Sequence, residues 1–353
     1  MKNSKVIFLN KFAAIGASSL FSQGHETYSN LVRFFETGIV DRTRSIDAGF
    51  DYHPLDPIPP IIQNPPDFET LMLERALEIV QTSINMSKPL LVLWSGGIDS
   101  TAVLLALKEV FEKPTEQLVI GCTAGSFVEF PELGQELQKA GYRMIPLAHP
   151  VSKYLPHEYL LATGEHGDQL FGSDKMLEYV AAGLGHMPYR AFLPFLISDK
   201  MGHPQANHGM MEMLDPIFEA APFPLKTLCD ALWWMNFTLK WQQVTLRIPV
   251  WSQKDPKQFL ERCHHFYRSV PFQQWSMMVD HKDPRRLTDY KLPLKKFIQS
   301  RFPCPRYTET KSKEISLRPR PSRKWWELTR HRWSFVMREN WQLEKEIIPH
   351  YLS

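Results

Sequence analysis

The chain has 353 residues, 43% of them hydrophobic, enough to bury a sizeable core in one large domain or two modest ones. No run of about 18 uninterrupted apolar residues is present. The apolar start (Val6 to Leu9, then Ala13 to Ala17) is broken by Asn10 and Lys11, so neither a membrane span nor a cleaved leader is expected, and the reading is cytoplasmic. Four cysteines without a CxxC pair argue against a disulfide framework or a zinc ribbon, and Cys263-His264-His265 lacks the second ligand pair that a zinc site needs.

Residues 1–66 show little periodicity and end in a proline-rich run, Pro54 to Pro66, which cannot sustain a helix or a central strand and reads as a linker or surface-draped arm. From Asp67 to Val80 apolar residues recur at helical spacing, leading into a short buried strand at 90–94. The expected order is then helix 100–111, strand 117–122, helix 131–140, strand 143–148 and strand 159–162. Strands alternating with helices of this length imply an α/β fold with a parallel sheet and right-handed crossovers. Beyond Gly172 the pattern turns helical, with helices expected at 225–244, 256–269, 290–301 and 323–347 as a C-terminal lobe.

Between the strand at 90–94 and the next helix lies Ser95-Gly-Gly-Ile-Asp-Ser100, followed by Thr101. A strand-to-helix loop aims backbone N–H groups and the positive end of the helix dipole at an anion. Gly96 and Gly97 let phosphate oxygens approach without a Cβ in the way, while Ser95, Ser100 and Thr101 add hydroxyl donors. Asp99 would repel phosphate unless it holds a divalent cation, so Mg²⁺ is its natural partner. An ordinary tight βα turn would use its Gly pair for geometry and its Asp or Ser as a cap.

The loop resembles the SGGxDS signature of the PP-loop (N-type) ATP pyrophosphatases, and no GxxxxGK[ST] motif accompanies it. The resemblance implies an adenine nucleotide alpha hydrolase-like parallel sheet, ATP and Mg²⁺ as cofactors, and release of AMP and pyrophosphate. A second segment, Gly164-Glu-His-Gly-Asp-Gln-Leu-Phe-Gly172, is similar to the GEGxDExFGG segment of the asparagine synthetase-like branch. By that match Asp168 binds Mg²⁺ and pyrophosphate with Asp99, and Gly164, Glu165, Gly167, Phe171 and Gly172 are scaffold. Two carboxylates at the carboxyl ends of different parallel strands suit such a clamp.

A tryptophan-rich helix after Asp230, then Arg247-Ile-Pro249, then Tyr290-Lys291-Leu-Pro-Leu-Lys295 resemble the helical lobe, the R-x-P segment and the K-x-x-L-R element of the same branch. That makes Lys291 the candidate catalytic lysine and Lys295 a pyrophosphate contact. The alternative for this stretch is a basic helix face.

The departures are Gln169 for Glu, Lys295 for Arg, Lys2 for Cys, and an interval of only about 63 residues between the two motifs. Residues 1–66 are too short for a glutaminase domain, so ammonia from in-chain glutamine is not expected, and the short interval leaves aspartate doubtful as acceptor. The implied activity is adenylation of a small carboxylate followed by transfer to ammonia or an amine. Glu129, Tyr154, His157 and Glu158 are positional candidates for contacting the acceptor.

Residues 282–338 carry 17 Lys and Arg against 5 Asp and Glu, a net of +12 that leaves −9 for the rest. Within them Arg318 to Trp333 interleaves cations with Trp325, Trp326 and Trp333, a composition suited to phosphate backbones and base stacking, or to packing of a C-terminal helix that also holds Phe335. A nucleotide- or RNA-modifying adenylating enzyme is therefore the second reading, with Cys122 as candidate nucleophile if sulfur is transferred. A nucleotide-binding protein without turnover is the third. The domain reading is an N-terminal extension (1–66), a synthetase-like domain (67–300) and a basic aromatic extension (301–353).

Overall fold

Apolar runs of three to five residues form most of the strands in a computed structural model, which describes residues 5–11, 26–148, 151, 155–172, 174–202, 205–251, 255–278, 290–310, 334–339 and 343–346. In chain order the strands are β1 (Val6–Leu9), β2 (Leu90–Leu93), β3 (Leu118–Cys122), β4 (Met144–Pro146), β5 (Leu160–Thr163), β6 (Cys263–His265), β7 (Ser334–Arg338) and β8 (Leu343–Glu346). Five of them make one sheet in the order β4-β3-β2-β5-β6, every pair parallel, so the expected α/β architecture is present. Strands buried on both faces read as unbroken apolar runs, and β2, β3 and β5 do.

One sheet face packs on the helices Phe68–Asn85 and Ile98–Val110. The second of these is apolar around most of its circumference, with Ala102 to Leu107 all buried, because the helix Leu292–Arg301 covers its other side. Each of its fully buried Leu and Val side chains contributes about 1.5–3 kcal/mol to that packing. The opposite face carries a smaller cluster built on Leu91, Val119, Leu161, Phe259 and Cys263.

Three expectations are corrected. The described residues of the N-terminal stretch are not an appendage, because β1 and the helix Glu26–Phe35 lie in the core, with Tyr28, Leu31, Val32 and Phe34 buried. What shapes 41–46 is a side chain rather than periodicity: the Asp41 carboxylate accepts from the backbone N–H groups of Thr43, Ser45 and Ile46. Second, the helix expected at 256–269 ends at Glu261, and Cys263–His265 forms the fifth parallel strand. Arg262 pins that strand by donating to the carbonyls of Pro156 and Tyr159. Third, within the helix expected at 323–347, β7 and β8 form an antiparallel hairpin that pairs with β1. Residues 311–333, with Trp325, Trp326 and Trp333, and residues 281–289 lie outside the described set, as does Tyr154.

The 225–244 expectation resolves into two helices, Leu228–Leu239 and Trp241–Leu246, joined at Lys240. Asp230 closes the first by a capping box with Thr227. No helix among the described residues is long and apolar enough to cross a membrane.

Between β5 and β6 runs a buried polar chain. His265 donates through Nε2 to the Thr245 carbonyl at 2.8 Å, so its Nδ1 accepts from the Thr163 hydroxyl at 2.7 Å. Burial pushes its pKa down to about 3, so the imidazole is neutral in the folded chain. Because the unfolded chain takes up this proton near pH 6.5 and the folded chain does not, stability is full above that pH and falls below it. His265 alone is expected to remove about 2–3 kcal/mol between pH 7 and pH 4.5. Urea unfolding at the two pH values checks this; equal stabilities would contradict a buried neutral imidazole.

Candidate active site

Register brings the two sequence motifs together. In β2, Leu93 stands opposite Gly121 of β3 on one side and Thr163 of β5 on the other, so the loops leaving β2 and β5 emerge side by side at the carboxyl edge of the sheet. The chain order of the strands reverses between these two, the position at which open α/β sheets form their ligand crevice.

Glycine makes the approach possible. A Cβ on Gly164 would lie 2.7 Å from the Ser100 nitrogen, and one on Gly167 would lie 2.4–2.7 Å from the Asp99 carboxylate atoms. Gly96 has φ +82°, and a Cβ there would meet the Ser126 carbonyl oxygen at 2.5 Å. Gly97 precedes the helix Ile98–Val110 in an extended conformation and makes no side-chain cap. The first turn of that helix therefore presents backbone N–H groups at the crevice.

The hydroxyls of the first loop brace it. Ser95 Oγ and Ser100 Oγ are 2.8 Å apart, Ser100 donates to the Gly97 carbonyl, and the N–H groups of Ser95 and Gly97 donate to Ser100 Oγ and Ser95 Oγ. Thr101 is fully buried behind the loop, its hydroxyl 3.1 Å from Trp94 Nε1 and 3.3 Å from the Tyr307 hydroxyl. It therefore supports the loop from inside. Tyr307 also donates to the Gly96 carbonyl at 2.7 Å while stacking on Phe130 with centroids 3.6 Å apart.

Three charged residues from separate segments meet here. Lys291 Nζ lies 2.5 Å from Asp99 Oδ2 and 2.7 Å from Asp168 Oδ1, and its side chain is 4% exposed. Burial works against the ammonium, but the two carboxylates outweigh it and hold the pKa of Lys291 above the usual lysine range. Tyr290 donates to Asp168 Oδ1 and stands 3.1 Å from the Gly172 carbonyl, and Tyr267 donates to the Asp99 carbonyl. Lys295 lies one turn along the helix Leu292–Arg301 and is half-buried.

The second loop has its own support. Glu165 pairs with Arg247; burial pushes the Glu165 carboxyl up, against the pull of that guanidinium. His166 is held at φ 74°, a left-handed conformation, with Nε2 3.1 Å from the Thr245 hydroxyl and its ring 4.2 Å from Trp241. Asn236 donates to the Asp168 carbonyl at 2.7 Å and accepts from Gln169, so Gln169 serves the scaffold.

Among the other candidates, Glu129 closes the helix Ala124–Glu129 beside Gly96 and Gly97. His157 and Glu158 are exposed on the turn that precedes β5, at the opposite edge of the sheet from the crevice, and are corrected as acceptor contacts. Cys122 ends β3 at the crevice edge, but burial pushes its thiol up, which disfavours the thiolate a nucleophile needs. Tyr267, Tyr290, Tyr307 and Thr245 had not been singled out from sequence. Tyr290 carried a signal in its place beside Lys291; Tyr267 and Tyr307 hold the first loop by its carbonyls and Thr245 holds His166 by its ring, long-range contacts that no local motif encodes.

The residues suit a magnesium ion. Among the described residues no three His, Cys, Asp or Glu side chains gather as a self-contained metal site. Mg²⁺ is usually held by one or two carboxylates completed by substrate phosphates. Asp99 and Asp168 supply two such oxygen ligands, and they already converge on one cation, the Lys291 ammonium. No protein-family model matches the chain, and no curated protein is significantly similar to it.

Proposed function

We propose that the chain is an ATP pyrophosphatase of the PP-loop type: it adenylates an acceptor oxygen, releasing pyrophosphate, and passes the activated group to ammonia or an amine. What carries the reading is one observation, the meeting of Asp99, Asp168 and Lys291 at the carboxyl ends of neighbouring parallel strands, where the strand order reverses. A tight βα turn has no need of two acids and a buried lysine from three separate segments.

The division of labour follows from charge. The N–H groups of the first helical turn and the Ser95 and Ser100 hydroxyls bind the leaving pyrophosphate. Asp99 and Asp168 would hold Mg²⁺, which would neutralise phosphate charge. Lys291 stabilises the charge that grows on the α-phosphate as the acceptor oxygen attacks in line with the departing pyrophosphate. Lys295, one turn further along the same helix, is the candidate contact for the pyrophosphate. Glu165 and Arg247 orient the second loop so that Asp168 keeps its place.

The acceptor class favoured is a small carboxylate, on the similarity of Gly164 to Gly172 to the asparagine synthetase-like branch. The net charge of +12 over 282–338 favours a second acceptor class, a nucleotide or RNA. Retention on heparin that salt abolishes, with RNA copurifying, would select the second. ATP labelled at the α-phosphate tests the chemistry: AMP as the labelled product supports the proposal, and ADP contradicts it.

A further inference from the structure

Lys291 is placed unlike a lysine awaiting substrate. Its ammonium is buried between Asp99 and Asp168, at hydrogen-bond distance from both, which is the position a divalent cation bridging those carboxylates would occupy. Its backbone sits at φ 57°, a left-handed conformation that a lysine adopts only where the surroundings impose it, immediately before the helix Leu292–Arg301. Tyr290, the residue before it, donates to the same Asp168 Oδ1 atom. The loop is thus built around the ammonium as an internal counter-ion.

We propose that Lys291 is an intramolecular stand-in for the metal: it excludes free Mg²⁺ from the Asp99–Asp168 position and gives way only when the cation arrives together with a phosphate-bearing ligand. The charge arithmetic gives the reason. Two carboxylates and one ammonium leave a single negative charge. A free divalent cation entering this position would either share it with a buried ammonium or push that ammonium away from both partners, and a buried charge without a partner is strongly disfavoured. A nucleotide phosphate removes the obstacle, because its oxygens offer the displaced ammonium a new anionic partner at the moment the cation takes the old ones. Cation and nucleotide therefore bind as one unit, and the lysine is delivered to the phosphates by the same exchange.

This inference rests on the proposed function only for the identity of the phosphate-bearing ligand, and its test needs no turnover. Binding of Mn²⁺ alone to the nucleotide-free protein is measured by electron paramagnetic resonance for wild type, Lys291→Met and Lys291→Gln. The expected result is weak binding by wild type and an affinity gain of at least about tenfold in both variants, since the position loses a competing positive charge. Asp168→Asn introduced into Lys291→Met is expected to abolish the gain. Thermal unfolding gives an independent reading: millimolar Mn²⁺ should raise the midpoint of Lys291→Met and leave that of wild type unmoved. Should either variant be too unstable to purify, the wild-type measurement stands by itself. Tight Mn²⁺ binding by nucleotide-free wild type that Asp168→Asn removes would overturn the proposal, as would unchanged Mn²⁺ affinity in a folded Lys291→Met or Lys291→Gln protein. Failure of ATP-dependent activity would count against the proposed function and leave these metal affinities as expected.

Discussion

Asp99→Ala is expected to lower ATP-dependent pyrophosphate release by at least about a thousandfold while the protein stays folded. Asp99 lies in the first turn of the helix Ile98–Val110, and its carboxylate reaches into the crevice toward Lys291 rather than into the apolar core. Removing it leaves Lys291 with Asp168 at 2.7 Å, so the buried ammonium keeps a counter-ion, and the loop keeps the hydrogen bonds that Ser95, Ser100 and Tyr267 make to its other atoms. On the proposed function, what is lost is one of the two oxygen ligands over the departing pyrophosphate. Pyrophosphate release and the thermal midpoint, measured on the same preparation, separate the two effects. Turnover near the wild-type rate would remove Asp99 from the chemistry.

The largest expected effect on stability is at a place the sequence did not advertise. Asp56 accepts a bidentate pair from Arg268, at 2.8 and 2.7 Å, and a third bond from Trp241 Nε1. Burial pushes the Asp56 carboxyl up, but Arg268 and Trp241 outweigh it and hold the group below the ordinary aspartate range. Arg42 lies beside this pair, buried against Phe237 and Trp241, donating to the carbonyls of Asp56, Pro57 and Phe237 and to Gln273 Oε1. Asp56→Ala leaves Arg268 without its carboxylate and removes a counter-charge from beside Arg42, which keeps its bonds to the carbonyls and to Gln273; breaking a largely buried pair from one side costs about 3–5 kcal/mol. Urea unfolding at pH 7 should show a loss of that size; one below about 1 kcal/mol would mean that the pair is dispensable.

The same knot matters for the site. It ties the segment 41–58 to the helix Trp241–Leu246, which Arg247 follows, and to the turn Phe266–Arg268, which holds Tyr267 against Asp99. The segment 41–58 is thus mechanically part of what positions the second loop.

The central sheet was legible because its signals are local. Leu90 to Leu93 and Leu118 to Cys122 are apolar runs, the first preceded by Pro89 and the second bounded by Gln117 and Thr123, and the helix Ile98–Val110 between them is a long apolar stretch. The first loop and Asp168 were legible as motifs, and Lys291 through its place in a third. β6 was not, because Cys-His-His has no strand-like composition and becomes a strand only through pairing with Leu161, Ala162 and Thr163. β7 escaped for a similar reason, since its partner β1 lies more than 300 residues away in the chain. The fold of 41–58 depends on Asp41 and Arg42 making side-chain bonds to backbone and on Asp56 accepting from the side chains of Arg268 and Trp241, which hydrophobic periodicity does not report. Likewise His157 and Glu158 are close to the second motif in sequence, but a parallel strand separates them from it by its full length.

The most direct test of the central claim is exchange of labelled pyrophosphate into ATP, run with Mg²⁺ against pooled carboxylates, nucleotides and RNA. Exchange reports adenylation before the second substrate is known. The expected result is acceptor-dependent exchange that disappears in Asp99→Ala and Asp168→Asn. Nucleotide binding without exchange in any pool would contradict it, leaving a crevice that holds ATP and does not cleave it.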